Sequence, residues 1–271
     1  MKQKTGVILM ILIVLAGLSL CLYPIVSNSL HERAGSQSIA RYDESVSGLS
    51  GGAGEEELGK AEAYNRALLR ASRGQEPTGV SASDYDSLLN WSGDGMMGYV
   101  EIPSIQCRLP ICHGTDAAIL ESYVGHMPSS SLPVGGAGTH CVLTGHTGIP
   151  SAKLLTDLDK VGEGDRFTLT VLDRKLTYEV DQILVVKPNE TEALRIVEGE
   201  DYCTLITCTP YGVNTHRLLV RGHRVSGALP EEAAPDPLEF LYSPVMIVLA
   251  VLLLLLMMIY VFTRNRDKRR R

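Results

Sequence analysis

No Cys-x-x-Cys pair occurs anywhere in the 271 residues, so neither a zinc site nor a thioredoxin-like redox motif has support. No internal repeat is visible, which sets solenoids aside. Positive charge is not in excess: 25 Lys and Arg stand against 31 Asp and Glu, a net of −6. The basic residues also gather at the ends, so the middle is more acidic still. An acidic middle excludes nucleic acid as partner, which would call for a basic face. Charge is missing altogether between Gly6 and Val26, and again between Val245 and Phe262. Each stretch is apolar and long enough, at roughly 18 residues or more, to cross a hydrocarbon core.

These two runs organise the chain. A cleaved signal peptide is the alternative for the first, but no small-residue cleavage site follows it. Bulky Leu20 before Cys21 argues against lipid attachment. Lys2 and Lys4 precede the first run, and Arg264, Arg266, Lys268, Arg269, Arg270 and Arg271 follow the second. Positive flanks stay inside, so both ends are expected in the cytoplasm and the middle outside, with the lipid bilayer as a partner. The expected divisions are a head and first span over 1–26, then a stalk, helical segment and possible lid over 27–94. A catalytic barrel over 95–226 and a linker over 227–242 follow, then a second span over 243–263 and a basic tail over 264–271.

Within the middle, residues 27–54 are polar and rich in Ser and Gly, which predicts a loosely held stalk. A helix is expected over 55–72, acidic at its start and basic at its end, with Leu58, Ala61, Tyr64, Leu68 and Leu69 as an apolar stripe. A helical turn is expected over 85–90. From Gly98 onward the texture changes to short β-branched and aromatic runs between Gly, Pro, Asn and Asp. Strands are predicted over 98–102, 106–111, 139–144, 166–172, 176–186, 202–207 and 217–225, with short helices over 117–123, 152–158 and 192–195. Many short strands with few helices suggest a mostly β protein, a closed or nearly closed antiparallel barrel.

Five cysteines lie between the two apolar runs: Cys107, Cys112, Cys141, Cys203 and Cys208. An odd number leaves at least one thiol without an internal partner. Most of the others are expected to be buried free thiols. Cys208 ends the run Thr204-Leu205-Ile206-Thr207 and precedes Thr209-Pro210-Tyr211-Gly212. A residue at a strand tip before a turn is held by the sheet yet stays reachable. A thiol near its ordinary pKa is a weak nucleophile at neutral pH and needs a basic or cationic neighbour. His146 has the same placement, after the strand over 139–144 and before a Gly-Ile-Pro turn. His140 lies roughly 20 Å back along that strand. Arg217 opens the strand after Cys208, and antiparallel pairing would set the two tips face to face. A charged donor fork there suits a developing oxyanion. The plainer readings are a structural histidine and a surface arginine. No Asp or Glu stands out as a third triad member.

The segments TLITCTPYGVNTHRLLVRG (204–222), GTHCVLTGHTGIPSAKLLTDLD (138–159), GYVEIPSIQCRLPICHGT (98–115) and GHMPSSSLPVGG (125–136) resemble class C sortases, the pilin-polymerising enzymes of Gram-positive surfaces. The resemblance runs from about Leu88 to Val225. It implies a closed eight-stranded sortase-type barrel and no obligatory cofactor; with the elements read above, the expected fold is mostly β with short helices, an N-terminal helical segment and two flanking transmembrane helices, and no metal. It implies a cysteine transpeptidase that cleaves an LPXTG-like sorting signal between Thr and Gly through a thioacyl-enzyme and passes it to a pilin lysine. Cys208 would be the nucleophile, His146 the general acid and base, and Arg217 the oxyanion and substrate stabiliser. Partners would be pilin or surface-protein substrates. A sortase anchoring proteins to peptidoglycan and a non-catalytic membrane-tethered scaffold barrel are the alternatives. Members of the class commonly carry an Asp-Pro-aromatic lid. The nearest counterpart is Glu76-Pro77-Thr78, which lacks the aromatic, so no tight latch is expected.

Overall fold

The computed structural model describes residues 2–49, 52–76, 82–148 and 152–227, together with residues 251 and 257. The chain divides into two compact units, one of Met1–Leu30 with Glu232–Arg271, the other of His31–Glu231. The second apolar run and its basic tail lie outside the described residues, apart from Val251 and Met257, which are helical.

The first element corrects an expectation. Helix α1 runs unbroken over Lys2–Ser47, so the segment after residue 26 is helical and not a loose stalk. Its N-terminal part belongs to a helix long and apolar enough to cross a membrane. The reason for the continuation lies in a few residues at helical spacing. Gly35, Ser38, Ile39 and Tyr42 are buried, and Val46 is half-buried beside them. Positions three and four apart fall on one helix face. Ile39 and Tyr42 pack with Met96, Tyr99 and Cys112 of the barrel. Overall polarity misled because a short buried stripe suffices when tertiary packing supplies the stability.

Helix α2 spans Ala53–Ser72, as expected. It buries Leu58, Ala61 and Tyr64 in the main core. It also buries Asn65, whose amide donates to the Leu132 carbonyl (3.0 Å) and accepts from the Leu132 N–H (2.7 Å). A buried amide with both ends paired fixes one orientation, where an unpaired one would be costly. A 3₁₀ turn over Ala82–Ser87 follows.

The strands are β1 Met96–Ile102, β2 Cys107–His113, β3 Val124–His126, β4 Thr139–Thr144, β5 Arg166–Val171, β6 Arg174–Val186, β7 Asp201–Thr209 and β8 His216–Val225. They form a closed barrel in the order β1-β2-β3-β4-β7-β8-β6-β5. One helical turn, α3 Ala117–Leu120, links β2 to β3. The pairing is mixed and not all antiparallel: β2 pairs β3 in parallel, and β4 pairs β7 in parallel. The connection from β4 to β7 carries the β5–β6 hairpin to the other side, which allows the parallel neighbour. Inside the barrel, Phe167 and Tyr178 stack with centroids 5.5 Å apart, both fully buried. Gly222 faces them, where a Cβ would stand 2.7 Å from the Phe167 ring. Closure leaves the barrel without an open edge.

Candidate active site

Side chains alternate between the faces of a strand, and the register fixes what the outer face of β4, β7 and β8 carries. Cys141 and Leu143 pair Cys203 and Leu205 on the inside. His140, Val142 and Thr144 therefore share the outer face with Tyr202, Thr204 and Ile206. Across β7 and β8, Thr204 pairs Arg221, Ile206 pairs Leu219, and Cys208 pairs Arg217. The outer face thus has three levels.

The first level is a polar lock. His140 Nε2 lies 2.7 Å from Thr204 Oγ1, and Nδ1 lies 2.9 Å from the Arg195 carbonyl. Burial lowers the pKa of His140, so the ring is held neutral. Arg221 donates twice to Asp181, at 3.0 and 2.9 Å, and lies over the Tyr202 ring at 4.2 Å. Every group here is occupied, which makes this level structural. The second level is an apolar floor of Val142, Ile206 and Leu219, packed against Met127, Leu184, Val186, Ala193 and Leu194. The third level, at the strand tips, carries the half-buried Cys208 and Arg217.

His146 arrives at that level from β4. The Gly145 N–H donates to the Ile206 carbonyl (3.0 Å), and Thr207 Oγ1 donates to the Gly145 carbonyl (2.9 Å). These bonds carry the β4–β7 pairing one step past the end of β4. The next residue, His146, is then level with the end of β7. Leu155 sits beneath the bend: a Cβ on Gly145 would be 2.9 Å from it, and its N–H donates to the His146 carbonyl. Beyond the bend, Gly148 has φ 72° and lies under the Tyr211 ring, 3.1 Å from where a Cβ would stand. The loop after His146 therefore touches the loop after Cys208.

Cys208 and Arg217 are cross-strand partners at the tips of β7 and β8, and the backbone of His146 follows Gly145 at that same end of the sheet. Arg217 is cross-strand neighbour to Cys208, and its Nη1 donates to the carbonyls of Asn214 (3.3 Å) and His216 (3.0 Å). The guanidinium has further N–H groups for another acceptor. Two other barrel histidines have structural tasks. His113 is bonded to the Gly95 and Leu88 carbonyls, and His126 to Tyr85 and the Ser131 carbonyl. Glu76 is exposed beyond the end of α2, whereas Pro77 and Thr78 of the expected lid lie outside the described residues. Tyr211 and the apolar floor escaped the reading of the sequence. The alternation 140/142/144 against 204/206/208 was the available signal, but it needs the β4–β7 register to be used. Among the described residues, no cluster of His, Cys, Asp and Glu has the makings of a metal site.

The barrel has counterparts among known proteins. Residues 100–225 match the model of the sortase domain. Sortase D of Bacillus subtilis is 30% identical over 171 residues, which cover 59% of this chain and 81% of that protein. Among solved structures, sortase C1 of Streptococcus agalactiae superposes with a TM-score of 0.66 at 44% identity, covering 71% of this chain and 100% of that one. Sortase C of Streptococcus pneumoniae does so with a TM-score of 0.64 at 42% identity, covering 72% and 100%. With the barrel, its order of strands and these matches in hand, the chain belongs to class C of the sortase family.

Proposed function

We propose that Cys208, His146 and Arg217 carry the reaction of this chain, a membrane-anchored cysteine transpeptidase that acts on LPXTG-like sorting signals in pilus assembly. The cross-strand pairing of Cys208 with Arg217 beside the tip of β4 is the observation that supports this reading. The Cys208 thiolate attacks the carbonyl carbon of the signal's threonine. Negative charge then builds on the carbonyl oxygen, where the Arg217 guanidinium donates hydrogen bonds. Its Nη1 bonds to the turn carbonyls hold the head in place, so little reorganisation is needed during the step. His146 gives a proton to the departing glycine nitrogen, and a thioester remains on Cys208. A lysine amine of the next pilin subunit attacks the thioester, loses its proton to His146 and leaves with an isopeptide bond. The apolar floor beside the tips gives an extended peptide a dry surface, which favours the amine over water.

The membrane arrangement follows the same reading. The N-terminal apolar helix anchors the chain and the barrel lies outside the cell. We assign 1–26 and 243–263 as spans that leave both termini in the cytoplasm, with the catalytic barrel over 95–226 between a tether of 27–94 and a linker of 227–242. No tight latch is assigned to the sequence Glu76-Pro77-Thr78, because no aromatic residue follows the proline.

The test is a sorting-signal peptide with a pilin-derived lysine acceptor. Cys208→Ala should abolish the covalent acyl-enzyme seen by mass spectrometry. His146→Ala and Arg217→Lys should each lower turnover by about 10³-fold or more, as expected for groups that act together. Arg217→Lys belongs in the set because lysine keeps the charge but loses the planar fork. Cross-linked product from Cys208→Ala at the unmodified rate would sink the assignment.

A further inference from the structure

Cys141 and Cys203 form the one pair of cysteines in direct register among the described strands. They face each other across the parallel ladder of β4 and β7. Paired residues of neighbouring strands point to the same face at a strand spacing of about 4.8 Å, inside the Cα range that a disulfide spans. Both side chains lie in the main core, 2% and 0% exposed. Each sulfur is within hydrogen-bonding reach of the other. Burial raises the Cys203 thiol. Cys141 meets the same burial penalty, but its contacts with Cys203 and His126 outweigh it and make Cys141 the more acidic of the two. The transpeptidation uses neither.

We propose that Cys141 and Cys203 are a disulfide site, closed outside the cell as a staple between the two strands that carry His146 and Cys208. This rests on the barrel's place beyond the membrane, where disulfides form and persist, and not on the roles given to the catalytic residues. The oxidant is a disulfide R–S–S–R, either a thiol–disulfide oxidoreductase or a small molecule. The Cys141 thiolate attacks one of its sulfurs and expels R–S⁻, leaving Cys141–S–S–R. The Cys203 thiolate then attacks the Cys141 sulfur and expels the second R–S⁻. Two cysteine thiols lose two electrons and two protons, and R–S–S–R becomes two R–SH. Both sulfurs are thiols in this structure. Because they are buried, the exchange belongs to folding, before β4 and β7 close into the barrel.

The position explains what the staple does. Cys141 lies five residues before His146, and Cys203 five before Cys208. That is roughly 17 Å along each strand. An odd offset also turns the pair inward while the site faces outward. The staple therefore locks the relative register of the two strand tips, and the sulfur of Cys208 stays out of its reach. It closes a loop of roughly 60 residues, a length at which a cross-link restricts the unfolded chain strongly.

The experiment uses the full chain, exported and left in its membrane. It is dissolved directly in denaturant with excess N-ethylmaleimide and no reductant, then digested for mass spectrometry. The expected result is a peptide pair joined through Cys141 and Cys203, both unlabelled, with Cys107, Cys112 and Cys208 labelled. Complete labelling of Cys141 and Cys203 would overturn the proposal. A second measurement needs no chemistry at Cys208. In detergent, dithiothreitol should lower the thermal midpoint of the unmodified chain by roughly 5–10 °C. A Cys141→Ala/Cys203→Ala chain should show no such dependence. An identical midpoint with and without reductant in the unmodified chain would exclude a stabilising staple. Loss of the Cys208 acyl-enzyme would leave both readouts unaffected, so failure of the catalytic assignment is a separate outcome.

Discussion

Which cysteine reacts is decided by where each sulfur sits. Burial pushes the thiols of Cys107 and Cys112 up to about 12. Cys107 is half-buried as a residue, but its sulfur lies 3.8 Å from the Leu154 carbonyl. A raised pKa keeps the thiol protonated as pH rises through neutrality. A group of this kind offers little thiolate at pH 8 and is packed away from reagent. In the native full chain, iodoacetamide at pH 8 should therefore label Cys208 at least about 100-fold faster than Cys107 or Cys112. Quenched samples read by peptide mass spectrometry measure this, and comparable rates for the three would contradict the placement of Cys208 at an accessible tip. Cys208, His146 and Arg217 could be nominated from the sequence because each sits where a regular run meets a turn, which needs only local information. The Cys141–Cys203 facing could not, because it depends on a parallel register between strands far apart in the chain.

Among the elements, the loops after β4 and β7 are coupled through Gly148 and Tyr211. Gly148→Ala would place a residue with a Cβ at φ 72° and press a methyl group on the Tyr211 ring. Left-handed backbone costs a non-glycine residue about 1–2 kcal/mol, and the ring contact adds to it. The loop should relax by moving His146, with a roughly tenfold loss in kcat/KM for the sorting peptide. Gly148→Ala/Tyr211→Ala should recover part of that loss, since the ring is gone and only the backbone strain remains. Unchanged kinetics in Gly148→Ala would show the loops to be independent. A different element carries stability. Tyr42 of α1 donates to the Met97 carbonyl (2.8 Å) and accepts from the Leu172 N–H (2.7 Å). Met97 lies at the register shift of β1 against β2, where the ladder leaves a gap. Tyr42→Phe would strip a partner from both buried backbone groups at about 1–3 kcal/mol each. The thermal midpoint should fall by several degrees while turnover at low temperature is kept; no shift would mean the hydroxyl is idle. Most strands were readable to within two residues, since alternation and punctuation are local signals. Strand β3 was missed because three residues are too few to alternate, and the parallel pairings because they are a property of topology. Helix α1 was read as ending too early because its buried face beyond the membrane run consists of so few residues.

At the scale of the molecule, one helix has two jobs, and the division between them can be located. Lys2–Leu30 falls in the unit apart from the barrel, while the remainder of α1 falls in the barrel unit. The barrel-facing residues begin at Gly35, and Ile39 and Tyr42 are each only 1% exposed. Burying such side chains contributes about 1.5–3 kcal/mol apiece, to which the two Tyr42 hydrogen bonds add. Removing residues 1–30 should thus release the chain from the membrane through this end yet leave the barrel's thermal midpoint within about 2 °C. Removing residues 1–47 takes away the buried stripe and should lower the midpoint by roughly 10 °C or more, at 2–4 °C for each kcal/mol in a domain of this size. Calorimetry on the two shortened chains, both also cut before residue 243, makes the comparison in solution. Equal midpoints would mean that the second half of α1 is only a tether. A large difference would mean that the second half of α1 is an integral part of the catalytic fold and not a slack linker.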